Sequence, residues 1–289
     1  MTLFGAWIGR KQASAADYFL GGRRMPGWAV LLSIVATETS TVTFLSLPGV
    51  SYAMGGDFRF LQITLGYIIG RVLVTLVLLP LFFRGEPFTA YEVLGQRLGL
   101  ATRRMASMLF IVTRTLADGL RLYLTALVLR TVLDLDFTTC VTILGVATIV
   151  YTVAGGVRAV IWNDCIQFTV YMVGAVIAAV MLVNRIPGEW QGLWEFAREH
   201  DKLRLLDFSP SLVATAMTFW AGLVGGAFLS FASHGADHLM VQRYLSARNQ
   251  RDAATALLAS GFVVALQFAL FLAIGVGLAA FFAAHPPTG

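Results

Sequence analysis

The stretch ATETSTVT, residues 36–43, sets six polar side chains among eight inside an apolar run that begins near residue 27 and continues as FLSLPG, residues 44–49. A charged group at mid-membrane costs roughly 2–4 kcal/mol unless it is paired or solvated. The run therefore predicts a helix that breaks within the membrane and lines a wet cavity. Carbonyls freed at such a break can hold a small cation, while the N-termini of half-helices face anionic groups. The plainer alternative is a kinked helix whose hydroxyls bond back to carbonyls one turn earlier. That alternative leaves Glu38 without a partner.

The rest of the chain supports a membrane setting. Of 289 residues, 57% are hydrophobic and only 13% charged, and the mean hydropathy is +0.75. Soluble domains carry about a quarter charged residues, so this chain lacks the charge to cover a globule of its size, and disorder is excluded by the same composition. Apolar stretches long enough to cross a bilayer lie at about 27–54, 59–83, 105–133, 138–156, 160–184, 211–234 and 253–284. The expected fold class is all-α, a polytopic membrane protein of about seven transmembrane helices. Leu3–Gly9 is too short to span and reads as the tail of a helix whose beginning is missing.

Charge sets the orientation. With the stretch before residue 27 in the cytoplasm, twelve Lys and Arg fall inside and six outside, while Arg71, Arg114 and Arg121 lie within spans. The net charge of +5 is then a matter of topology, and nucleic acid is not an expected partner. Cys140 and Cys165 form neither a disulfide framework nor a metal-ligand spacing. In the long polar stretch 186–210, Trp190, Leu193, Trp194 and Ala197 share one helical face. This predicts a short amphipathic helix lying on the outer interface, with a lid over a vestibule as the alternative.

The sixth span contains a second interrupted segment, GGAFLSFASHG, residues 225–235. Two interrupted segments, one opening each half of the chain, point to a transporter built from inverted repeats. His234 and His238 have i, i+4 spacing, but no third metal ligand is evident. Arg114, Asp118 and Arg121 share a face of the third span and are expected to satisfy one another. Arg71 has no partner that the sequence names. Ser230, Ser233 and His234 sit together without a carboxylate at matching depth, so the chain does not read as an enzyme.

The segment YTVAGGVRAVIWNDCIQ, residues 151–167, resembles the signature loop of the sodium:solute symporter family: a Tyr-Thr, a Gly-Gly pair, an Ala-Val, Trp-x-Asp and a Gln. DYFLGGR, residues 17–23, is similar to the family's pre-helix segment, and DHLMVQRYL, residues 237–245, to the stretch ending its sixth core helix. The resemblance runs from about residue 13 onward. It implies a LeuT-like core of five plus five helices in inverted repeat, with residues 27–184 as the first repeat and 211–284 as the start of the second. Core helices eight to ten would then follow Gly289, so residues 1–289 are expected to form a single but incomplete transporter domain.

The resemblance further implies a sodium ion as the coupling ion, held by the carbonyls of Ala36 and Thr39. It implies solute contacts at Thr43, Gln62, Ser230 and Ser233, with Phe231 as a stacking or gating group. Glu38 and Asp164 are expected on the ion path or in coupling; the alternative for Asp164 is a cap on the helix that follows. The function expected is sodium-coupled symport of a small organic solute across the cell membrane by alternating access. A sensory module of a membrane signalling protein and an inactive truncated remnant are the alternatives. The arginines of the third span tilt the solute toward an anion or zwitterion, and the sequence says nothing about oligomeric state.

Overall fold

The computed structural model describes residues 15–84, 90–210 and 217–286. The Leu3–Gly9 segment and the beginning of the predicted sixth span lie outside the described residues. Within them the chain is helical, with one isolated bridge between Met25 and Ala247.

Helix α1, Ala15–Leu20, leads through a 3-10 turn, Gly21–Arg23, in which Gly22 takes a φ of 67°. The φ of Gly22 lies in the left-handed region, so this turn of the pre-helix segment favours glycine for its backbone. Pro26 precedes α2, Gly27–Glu38. Thr39 leaves the helix with extended backbone, and α3, Thr41–Tyr52, departs at 65°. The first span is broken where the polar run predicts.

Helix α4, Gln62–Leu73, widens into a π-helical stretch, Val74–Leu78, before α5, Leu79–Phe83. Pro80 has no N–H to continue the ladder, and the extra residue in the π turn absorbs that loss. Helix α6, Ala90–Leu98, and α7, Leu100–Leu133, are separated by Gly99 at a φ of 89°. Helix α8, Phe137–Val183, is interrupted at Gly156, whose φ of 57° and ψ of −169° fall within the signature loop. The amphipathic α9, Glu189–Glu199, follows Gly188. Helix α10, Phe219–Ala236, ends at Asp237, whose side chain caps α11, His238–Leu245, by accepting from the Leu239 amide. Helix α12, Gln250–Ala284, closes the described chain.

Three segments are each long and apolar enough to cross a membrane: Arg59–Phe83, Gly155–Val183 and Gln250–Ala284. Two bent pairs qualify together, α2 with α3, and α7 with Phe137–Val150 at 120°. The described residues thus carry up to five spans by length and composition, against seven expected. The difference has a physical source: Arg114, Asp118 and Arg121 interrupt the apolar character of α7, and the sixth predicted span starts among residues that are not described.

The chain divides into two compact units. One comprises Met1–Val42, Leu73–Gln167 and Ala232–Ser260; the other comprises Thr43–Val72, Phe168–Phe231 and Gly261–Gly289. In the first, Val30 and Ile34 of α2, Val241, Tyr244 and Leu245 of α11, and Leu257 of α12 are fully buried. The pre-helix segment docks there: Met25 N donates to Ser246 O at 3.0 Å, and Gln242 Nε2 to Phe19 O at 2.7 Å. In the second unit α4 lies directly on α10. A Cβ at Gly66 would stand 2.5 Å from the carbonyl oxygens of Gly222 and Leu223, and one at Gly70 would stand 2.5 Å from Ala227 O. Small residues bring these backbones together as in other membrane helix pairs.

Candidate functional site

In the first unit the polar run ends α2 with Thr39 N donating to Val35 O at 3.0 Å. The last carbonyls of a helix have no onward intrahelical donors. Ala36 lies in the last turn of α2 and Thr39 is its C-cap. Thr39 is buried and Ala36 half-buried.

Glu38, which the sequence left unpartnered, has its Oε1 3.6 Å from Nε2 of the fully buried His234. Ser233 Oγ lies 3.0 Å from His234 Nδ1, and the Tyr244 hydroxyl donates to His234 O. The expectation that no carboxylate lies near Ser233 and His234 is corrected by this contact. It could not be read from spacing, because Glu38 and His234 are nearly two hundred residues apart. Among the described residues, no group of three or more His, Cys, Asp or Glu is placed to hold a metal ion.

Asp164 does not cap a helix. It sits within the continuous second half of α8, eight residues past the break at Gly156. Its Oδ2 accepts from Ser33 Oγ at 2.5 Å, Arg243 Nη2 at 3.1 Å and Thr37 Oγ1 at 3.5 Å. Arg243 Nε also donates to Ser33 Oγ at 3.0 Å. The network ties α8 and α11 to the half-helix that ends in Ala36 and Thr39. Ser33, Thr37 and Arg243 were missed as site residues, although Ser33 and Thr37 lie one helical turn apart on α2 and Arg243 falls inside the DHLMVQRYL motif.

The charge cluster of the third span is also not self-contained. Arg114 Nε meets Asp118 at 2.9 Å, but its Nη1 reaches Asp237, the cap of α11, at 3.0 Å. Arg121 is 3.7 Å from Asp118. With two carboxylates on it, Arg114 is a link between α7 and α11.

In the second unit Gln62 is 2% exposed. Its Nε2 donates to Arg59 O at 2.9 Å and Met217 O at 3.1 Å, and its Oε1 accepts from the Asp207 amide at 2.8 Å. Both ends of the amide are thus engaged by backbone. Ser230 Oγ donates to Tyr67 O at 3.0 Å, beside Gly70. Gly70 is eight residues along α4 from Gln62, about 12 Å at 1.5 Å per residue, so Gln62 and Ser230 occupy different levels of this helix pair. Thr43 lies in the first turn of α3, half-buried, as is Phe231 on α10. Arg71, fully buried on α4, places its guanidinium carbon 5.7 Å from the Tyr67 ring centroid, a cation–π contact.

The segment after α9 is joined to residues 51–62 by charged groups. Arg59 Nε meets Asp57 at 2.7 Å and its Nη1 meets Asp207 at 3.0 Å. Hydrogen bonds from the Ser209 hydroxyl and amide, with Arg59 and Arg204 adding to them, pull the Asp207 carboxyl down to about 2. Lys202, 4% exposed, donates from Nζ to the carbonyls of Ser51, Tyr52 and Ala53. Burial lowers its pKa, opposed by Asp57. A polar cavity of about 550 Å³ lies between residues 55–59 and 197–204, lined by Asp57, Arg59, Arg198, His200, Asp201 and Arg204. Helix α9 forms as predicted, with Trp190 and Trp194 exposed and Ala197 buried.

Comparison with known proteins bears on what this arrangement serves. The sequence matches the model of the sodium:solute symporter family over residues 18–288. It is 33% identical to the human sodium/iodide cotransporter over 276 residues, 94% of this chain and 41% of that protein. It is 30% identical to the sodium/sialic acid symporter SiaT of Proteus mirabilis over 297 residues, 99% of this chain and 57% of that protein. The solved substrate-bound, outward-open state of a Na+-coupled sialic acid symporter superposes with a TM-score of 0.91 at 29% identity, covering 100% of this chain and 61% of that one. The chain spans about half the length of the curated relatives it matches.

Proposed function

Because the chain belongs to the sodium:solute symporter family, we propose that it supplies ion- and solute-binding helices of a sodium-coupled symporter for a small organic solute. The observation that carries this reading is the 65° break between α2 and α3, placed directly after Ala36, Thr37 and Glu38. In the proposed site the carbonyls of Ala36 and Thr39 hold the sodium ion. Thr43, Gln62, Ser230, Phe231 and Ser233 face the solute, and Glu38 and Asp164 serve the ion path or its coupling. For Gln62 this requires exchanging one of its backbone hydrogen bonds for the solute. The protein lies in the cell membrane, with the stretch before residue 27 in the cytoplasm.

Relatives named for iodide, sialic acid and monocarboxylates carry solutes that are anions at neutral pH, which supports an anionic or zwitterionic solute. Arg114 adds less to that choice than its sequence position implies, since Asp118 and Asp237 already neutralise it. Energetically, one sodium ion crossing 100 mV down a tenfold gradient releases about 3.7 kcal/mol. At one-to-one coupling this sustains a few-hundred-fold accumulation of a neutral solute, and less of an anion at an inside-negative potential.

The test is uptake of ²²Na⁺ into proteoliposomes carrying the purified protein, with N-acetylneuraminate, lactate or iodide supplied in turn outside. Solute-stimulated sodium entry is the expected result. Sodium entry indifferent to all three and to a wider set of small anions and zwitterions would overturn symport.

A further inference from the structure

Lys202 follows α9 through Asp201, which takes a left-handed φ of 53°. The Lys202 amide closes this turn by donating to Ala197 O at 2.9 Å, so the direction of the side chain is set by the end of α9. That side chain is buried against the last turn of α3. Its Nζ lies 2.8 Å from Ser51 O, 3.3 Å from Tyr52 O and 2.7 Å from Ala53 O. An ammonium has three protons to donate, and here three consecutive carbonyls take them. Ser51 and Tyr52 end α3, where a helix leaves its last carbonyls without intrahelical donors at the negative end of its dipole; Ala53 O, one residue beyond, also accepts from Gly56 N at 2.9 Å.

The chain beyond Lys202 stays on the same ground. Phe58 N donates to Arg204 O at 3.1 Å, and Asp207 N donates to Gln62 Oε1 at 2.8 Å. Residues 202–207 thus run as a strap along residues 51–62, bonded at their beginning, middle and end. On another side α3 is held by α12: Ser51 Oγ donates to Leu272 O at 2.6 Å, and a Cβ on Gly275 would stand 2.0 Å from Pro48 O. Helix α3 carries Pro48 inside it but runs unbroken from Thr41 to Tyr52, so a grip on its C-terminal end and on Pro48 bears on its first turn, about 13 Å away at 1.5 Å per residue. Thr43 lies in that first turn.

We propose that Lys202 is a positioning residue: it caps α3 from the segment after α9 and thereby fixes the half-helix that presents Thr43. The effect on solute binding rests on the transport reading; the cap itself does not.

Two measurements on the purified protein separate these. Hydrogen–deuterium exchange in sodium buffer needs no solute. Wild type and Lys202→Arg are expected to exchange slowly over residues 45–53, while Lys202→Met exchanges about tenfold faster there, having lost charge-assisted bonds to three carbonyls, with residues 250–284 unchanged. Equal protection in Lys202→Met, or a loss of protection spread evenly over residues 250–284, overturns the cap. In proteoliposomes, with N-acetylneuraminate, lactate and iodide as probes, Lys202→Met is expected to raise the half-saturating concentration of whichever probe is carried several-fold. The maximal rate per folded protein stays the same, and Lys202→Arg restores the wild-type value. Loosened exchange with an unchanged half-saturation overturns the link to solute binding. Wild-type protein that carries none of the probes counts against the transport reading, and the exchange measurement still decides the cap.

Discussion

Arg243 Nη2 lies 3.1 Å from the Asp164 carboxylate, and both groups bond to the hydroxyl of Ser33. The two charges come from α11 and α8, and the hydroxyl comes from the half-helix that ends in Ala36 and Thr39. A mostly buried ion pair gains little over apolar packing, yet losing one member leaves the other uncompensated at a cost of about 3 kcal/mol. Arg243→Ala should therefore lower the thermal midpoint by several degrees. Combining it with Asp164→Asn should recover part of that loss, because the two residues share one network. Thermal unfolding followed with a thiol-reactive dye suits this chain, since Cys140 and Cys165 are both buried thiols outside any disulfide. Strictly additive losses in the double variant would show that the pair is not coupled.

Glu38 meets His234 beside the break in the first span. If its carboxylate serves the ion path, Glu38→Ala should weaken sodium-dependent uptake most at limiting sodium and least at saturation. Glu38→Gln separates charge from shape: it keeps the size and removes the charge, so it should resemble Glu38→Ala in sodium dependence. Uptake by Glu38→Ala that is unchanged at limiting sodium removes Glu38 from the mechanism.

What could be read from the sequence was local. Six polar residues in eight marked the break after Glu38, and the spacing of Trp190, Leu193, Trp194 and Ala197 marked α9. The signature motif carried the family. What could not be read was which distant group each polar side chain meets. Arg114 and Asp118, four residues apart, gave a complete pair by spacing alone, and nothing in that spacing reveals Asp237, 123 residues further on. Gln62 has a residue type that suits solute binding, but its hydrogen bonds to the backbone at Asp207 and Met217 depend on how the chain returns after α9. Lys202 stood in a polar loop where a solvated cation is the ordinary expectation, and only the fold buries it against α3.

Asp207 gives a pH dependence of definite sign. Its carboxyl is held at about 2, against an ordinary value of 3.8. Between those values the unfolded chain binds the proton and the folded chain does not, so the contribution of this group to stability falls as pH falls through the window. It is complete above about pH 5. Asp207→Asn should therefore destabilise the protein at pH 6 by more than it does at pH 3. A difference between wild type and variant that is constant from pH 6 to pH 3 would contradict the lowered value.

The glycines of α4 and α8 supply an internal contrast. At Gly66 a Cβ would stand 2.5 Å from two carbonyl oxygens of α10 and 2.7 Å from the Ala227 amide. Those atoms are backbone, so they cannot rotate aside as a flexible side chain would. Gly66→Ala has to push α4 and α10 apart, straining the Ser230 bond to Tyr67 O and the Gln62 bond to Met217 O. Overpacking of this kind costs about 1–3 kcal/mol. Gly145 and Gly174 are helical positions in α8 with nothing within 4 Å of an added Cβ and no positive φ. There alanine keeps the space and gains about 0.5–1 kcal/mol of helix propensity. Gly66→Ala should lower the thermal midpoint, while Gly145→Ala and Gly174→Ala leave it unchanged or raise it slightly. If all three variants shift together by the same amount, the close approach of α4 and α10 is not what glycine serves at position 66.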